Sequence, residues 1–426
     1  MSTAFPKAHF RHTAASAVVP FYLYAAFSFL ISAALLLVNS PAFREHYFHP
    51  HTLALTHLMA LGWGTMVILG ASHQLVPVLT ERPLYSMRLA HLSFILAALG
   101  IPLLVYGFYV FDMGWPAKWG GRLILLSVLV YLVNLLKSTG RGREMNVHAV
   151  FIITATGWLF LTAFLGLTLV YNFTYPFLPK ETLEYLPLHA HAGILGWFLL
   201  LVTGVGSRLI PMFLISKYQH NRLLWVIYAG INGGLLLYLL SFFIFPGLPF
   251  MYPGAVILIS FGLFVFYLSG VYRARIRKQV DEPMKVSLLS VAMMLLPILL
   301  LLLLAGWRYS GTTHARYTLL YGFVIFFGWI TAIILGMTFK TLPFIIWNKI
   351  YHEKAGRVKT PNPKDLYSEM LFNAMALTYL AGFLCAGAGI FGEGWLLLRL
   401  GAGLLLLSAI LYNLNIWKTC LHKPLV

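Results

Sequence analysis

The sequence predicts an all-α membrane protein: twelve transmembrane helices in three pseudo-threefold four-helix repeats, with both termini cytoplasmic. Composition, an internal period and a one-sided charge distribution predict it. The 426 residues are 60% hydrophobic and only 10% charged, against about a quarter charged in soluble domains. A Gly-Trp…Gly…Pro pattern then recurs at a near-constant period: Gly62-Trp63…Gly70…Pro77, Gly196-Trp197…Gly204…Pro211 and Gly328-Trp329…Gly336…Pro343. Three identities at fixed offsets, each inside a long apolar run, mark one structural unit used three times.

Twelve apolar runs are long enough to cross a bilayer. The first repeat supplies runs at about 17–38, 53–79, 89–111 and 119–136, and its Gly-Trp helix is the second. The opening run exceeds a signal-peptide core and lacks a small-residue cleavage site, so it is read as a membrane helix. The second repeat follows at 147–170, 189–215, 222–245 and 253–272, and the third at 285–306, 317–346, 368–391 and 395–417. The expected organisation is a single membrane domain over 1–426, with repeats at approximately 17–136, 147–272 and 285–417. The period and the span count were obtained separately, and they agree on four helices per repeat.

The net charge of +18 is placed by topology. With the N-terminus inside, 22 of the 30 Lys and Arg fall on the cytoplasmic side and seven on the outer side. This is the positive-inside pattern of a multi-pass protein of the bacterial inner membrane. The clusters Arg273-Ala-Arg275-Ile-Arg277-Lys278 and Lys349 to Lys364 then serve orientation and contact with anionic lipid, and nucleic acid is excluded as a partner. All twelve carboxylates fall in loops or at helix ends. A proton pump or proton-coupled transporter needs such groups at mid-depth, so both are disfavoured. Cys385 and Cys420 support neither a disulfide framework nor a thiolate metal site. Gly387-Ala-Gly389-Ile-Phe-Gly392 spells a dinucleotide-binding pattern inside an apolar helix, where it serves helix packing instead.

The histidines concentrate at the outer ends of the Gly-Trp helices. His57 and His191 stand at matched offsets, five residues before the shared Gly, while Phe323 takes that place in the third copy. They are the candidate cofactor ligands, because an imidazole in hydrocarbon is costly unless paired or ligated. His189 and His191 are about 200° apart around a helix and so face different neighbours. His189 and His314 are candidates for a second metal centre, and His49-Pro-His51 for a periplasmic metal. At the other end of the same helices, Gln74, Arg208 and Lys340 are matched, with His73 beside Gln74. They form a cytoplasmic polar layer, able to snorkel to the interface or to line an anion or proton entry.

The stretch from His57 through Gly62-Trp63 to Pro77, and His189-Ala-His191 through to Pro211, resemble the heme-binding helices of subunit I of the heme-copper oxidase superfamily. The likeness extends to the cbb-type oxidases and nitric oxide reductases, and by size and architecture alone to the NnrS-type proteins. The resemblance implies b-type heme and copper as cofactors, a periplasmic electron or metal donor as partner, and oxidoreductase activity on nitric oxide or oxygen. The pattern also departs from that family. His-x-His falls on the sixth helix rather than the tenth, Leu195 replaces the tyrosine expected four residues after His191, and the seventh helix carries no histidine. A complete binuclear oxygen-reducing centre is therefore not expected. A heme or copper sensing or handling protein, and less favourably a small-solute transporter using Arg208 and Lys340, are the alternatives.

Overall fold

The computed structural model describes residues 15–80, 82–139, 146–245, 251–309 and 315–424. His314, Glu81 and Glu144 lie outside these residues. Twelve helices are long and apolar enough to cross a membrane. They are α1 (Ala15–Val38), α2 (Pro50–Thr80), α3 (Met87–Tyr109), α4 (Trp115–Thr139), α5 (Val147–Thr174) and α6 (Thr182–Leu214), then α7 (Asn221–Phe243), α8 (Met251–Arg273), α9 (Glu282–Leu304), α10 (Ala315–Lys354), α11 (Glu369–Phe391) and α12 (Trp395–Cys420). No β-sheet occurs among the described residues. Number and order match the sequence expectation.

The boundaries differ in one useful place. A reciprocal cap between Glu181 and Glu184 starts α6 at Thr182, seven residues before the apolar run suggested. That extension places His189 and His191 well inside the helix. The described carboxylates lie in connections or terminal turns, as expected.

The three Gly-Trp helices α2, α6 and α10 are the innermost, with 72%, 72% and 83% of their apolar windows buried, against at most 50% for any other span. The outer helices present large apolar side chains such as Leu99 and Leu377 outward, where hydrocarbon replaces water. The motif glycines explain how the inner helices pack so closely. A Cβ on Gly70 would fall 2.7 Å from Phe21 of α1, and on Gly204 it would strike Phe151 of α5. On Gly336 it would strike Ser287 of α9. In each case the second motif glycine admits the preceding odd-numbered helix.

Each inner helix also changes pitch. A π-helical segment follows the matched His or Phe position directly: Leu58–Thr65, Ala192–Leu199 and Val324–Ile330. Such turns are rare and concentrate where helices carry function. The motif tryptophans lie within them and tie the inner helices together. Trp63 Nε1 donates to Thr331 Oγ1 at 3.0 Å, and Trp197 Nε1 donates to Thr65 Oγ1 at 3.0 Å. The matched acceptor for Trp329 is Leu199, which has no hydroxyl, and the Trp329 N–H is unpartnered among the described residues. The motif prolines sit inside helices. Pro211 frees the carbonyl of Ser207, and the Tyr267 hydroxyl of α8 donates to it at 3.2 Å.

Candidate functional site

The histidine end of the inner helices holds a facing pair. The rings of His57 on α2 and His189 on α6 lie 6.2 Å apart, centroid to centroid, with planes 19° apart. Each is oriented by its Nδ1, which lies 2.8 Å from the Leu53 carbonyl in His57 and 3.1 Å from the Thr162 carbonyl in His189. A donor role at Nδ1 leaves Nε2 with the lone pair. Neither Nε2 has a hydrogen-bond partner among the described residues. Phe108 packs on His57 at 4.5 Å, and Gly166 leaves room for the His189 ring, since a Cβ there would lie 2.8 Å from its Cε1.

His191 turns the other way, as its spacing from His189 requires. Its Nδ1 lies 2.7 Å from the Pro187 carbonyl, the matched counterpart of Leu53. Its Nε2 is 3.4 Å from the hydroxyl of Tyr321 on α10, and Tyr238 of α7 stands edge-on to the ring at 5.8 Å. The sequence reading placed His57 and His191 together, but the structure places His57 against His189 and His191 against Tyr321. Matched offsets clarify the pattern. His189 corresponds to Tyr321 and to Leu55, so the α2/α6 junction carries His57–His189 and the α6/α10 junction carries His191–Tyr321. The remaining combination of matched residues, Phe323 and Leu55, is apolar and buried. Phe323 stacks on Phe383 of α11 at 5.6 Å, which explains why no histidine is needed there.

His49 and His51 lie at the start of α2, with rings 5.0 Å apart. His49 faces Glu45 at 3.4 Å, and His51 stacks on Tyr109. Among the described residues no three His, Cys, Asp or Glu side chains converge to hold a metal ion by themselves.

At the proline end, α2, α6 and α10 surround a cavity of about 800 Å³. Its walls use matched positions from the three helices, including Ile68, Val202 and Ile334. Gln74, Arg208 and Lys340 line it together. His73 does not join them, because it is buried between Phe21 and Tyr131 in the packing of α1, α2 and α4. Lys340 Nζ lies 2.6 Å from Asp281, which also meets Arg277 at 3.1 Å. Partial burial alone would raise the Asp281 pKa, but the Lys340 hydrogen bond and charge, the Met284 N–H and Arg277 outweigh it. The carboxyl is held below its ordinary range. Tyr238 and the Asp281 clasp were missed in sequence because neither belongs to the repeated motif. Compared with known proteins, the chain matches no family model and no curated sequence.

Proposed function

We propose that this protein is a three-repeat membrane hemoprotein in which His57 and His189 hold a b-type heme between α2 and α6. The carrying observation is the facing pair, with both Nδ1 atoms fixed by backbone carbonyls and both Nε2 atoms unpartnered. Outer hydrogen bonds of this kind orient metal-ligating histidines. The two rings lie 6.2 Å apart and near-parallel, so His57 and His189 would hold the group between them. A heme carries most of its own metal ligands, so His57 and His189 would suffice without a third acidic or thiol group. The residues present therefore fit the group, which would supply one-electron chemistry when bound. Leu53 and Thr162 fix the ligand orientation, Gly166 clears the space, and Phe108 excludes water from the His57 side.

With both histidines engaged in holding the group, it would supply electron transfer or sensing rather than chemistry on a gas. A second reading, an oxidoreductase acting on nitric oxide or oxygen, rests on the α6/α10 junction. There His191 is a single imidazole that would hold the group, with the Tyr321 hydroxyl 3.4 Å from its Nε2 as a polar neighbour for the gas. Copper handling at the His49/His51 end is the remaining alternative, drawing on a periplasmic donor. The matched tryptophan, glycine and cavity positions support three four-helix repeats about a pseudo-threefold axis. The lysine and arginine distribution supports cytoplasmic termini in a bacterial inner membrane, with the histidine end outside.

The test is optical. Protein expressed with ample heme and purified in detergent should show a reduced-minus-oxidised spectrum of a six-coordinate b-type heme. His57→Ala and His189→Ala should each abolish it, while His191→Ala keeps it. Absence of porphyrin, or unchanged spectra in both ligand variants, would sink this reading. Stoichiometric copper without heme would favour the handling protein.

A further inference from the structure

We propose that the cavity at the proline end binds an anionic amphiphile, a single acyl chain carrying a carboxylate or phosphate-monoester head. This site is separate from the facing histidines and does not depend on them. Its volume of about 800 Å³ suits such a molecule, since ligand pockets commonly span about 300–1,000 Å³. The deep walls are hydrocarbon: Ile68, Val202 and Ile334 form one layer, and Ala71, Val205 and Met337 another. The hydroxyls on the lining already have partners within the protein, Tyr22 with Thr341, Ser72 with Tyr131 and Thr338 with Tyr412, which disfavours a sugar, a nucleotide or a hydrated ion. The rim is the reverse. Arg208, Lys340, Arg277 and Lys364 all line the cavity, and Asp281 is the one carboxylate among its lining residues.

That carboxylate is already shared by Lys340 and Arg277. Arg208 has neither an ion pair nor a hydrogen bond among the described residues, and a guanidinium offers a planar fork suited to carboxylate or phosphate. Gln74 lines the same cavity, and its side-chain amide carries N–H donors suited to an anionic head. One turn farther along each inner helix, Val78, Met212 and Phe344 line the same cavity and are exposed to it. Four-residue spacing puts each on the same face as Gln74, Arg208 or Lys340. The inner helices thus present a polar ring, with Arg208 its unpaired cation among the described residues, between two apolar layers. An anionic head would meet Arg208 while its tail covers hydrocarbon.

Binding of cis-parinaric acid to delipidated protein in detergent, read by its fluorescence, tests this. Palmitate or 1-palmitoyl-glycerol 3-phosphate should displace the probe at least about ten-fold better than methyl palmitate, as expected when a charged hydrogen bond is lost. The better competitor of the two identifies the head group. Arg208→Gln should weaken binding by about ten-fold or more. Val205→Trp should block the tail while retaining the wild-type thermal unfolding temperature. If methyl palmitate competes as well as the acids, or if either folded variant binds like wild type, the proposal is overturned.

Discussion

Trp63 donates its indole N–H to Thr331 Oγ1 across 3.0 Å, joining two inner helices 268 residues apart in the chain. Trp197 repeats the contact with Thr65, and at Trp329 the chain places Leu199 where a hydroxyl would complete the ring. Removing an acceptor from a buried indole should be costly, because the donor cannot turn to water. Thr331→Val should lower stability by about 1–3 kcal/mol. In a Trp63→Phe background the same change should cost much less. Thermal unfolding of the four proteins in detergent gives the coupling, and an additive cycle would refute the bond's contribution.

The helix glycines should separate by the space around them. Gly204→Ala drives a methyl group into Phe151, and overpacking of this kind costs about 1–3 kcal/mol or more. Gly233 of α7 has nothing within 4 Å of where a Cβ would stand, so Gly233→Ala should be neutral or gain about 0.5–1 kcal/mol from helix propensity. The unfolding temperature should fall for Gly204→Ala and hold or rise for Gly233→Ala.

Gly166→Ala reaches the facing histidines without altering a ligand. The new Cβ would lie 2.8 Å from His189 Cε1, so the ring must shift. Heme occupancy, measured as porphyrin per protein, should fall several-fold while the protein still folds. Occupancy equal to wild type would mean that His189 is not held where the proposed ligand must be.

The Asp281 clasp sets a pH dependence. The folded carboxyl has a depressed pKa, so its contribution is fully present above the unfolded value, about 3.9. It is lost as pH falls through the lower folded value, where protonation releases Lys340 and Arg277. Asp281→Asn should therefore cost about 1–2 kcal/mol at neutral pH, a modest figure because the side chain is 31% exposed. The difference between variant and wild type should shrink as pH drops below 4. A gap that stayed constant to pH 3 would contradict this assignment.

Phe323→His would recreate the matched imidazole on α10. It removes the stack with Phe383 at 5.6 Å and faces an apolar counterpart, so stability should fall by about 1–3 kcal/mol without any gain in bound heme. Absorbance and unfolding measurements on the same preparation check both halves.

The span count, the inner position of the Gly-Trp helices and the opposed directions of His189 and His191 were legible because each follows from hydropathy or from local helix geometry. The partner of His57 was not. Offset matching identifies equivalent residues, and equivalent residues on neighbouring helices turn in the same rotational sense rather than toward each other. His57 accordingly meets His189, and His191 meets Tyr321. The Asp281 clasp is a tertiary contact between a helix cap and a lysine 59 residues away, and no periodic signal reports it.

The π turns have a geometric effect that reaches beyond the residues inside them. One extra residue in a turn rotates everything that follows by about 100° relative to an uninterrupted α-helix. His57 and His191 come immediately before this slip, and the cavity positions beginning near Ile68 and Val202 come after it. Each inner helix can thus aim its histidine half sideways at a neighbour and its proline half at the cavity. The histidine contacts and the proline-end cavity lie along one bundle with no shared residue among those named. Chemistry in one can drift by substitution while the other keeps its shape.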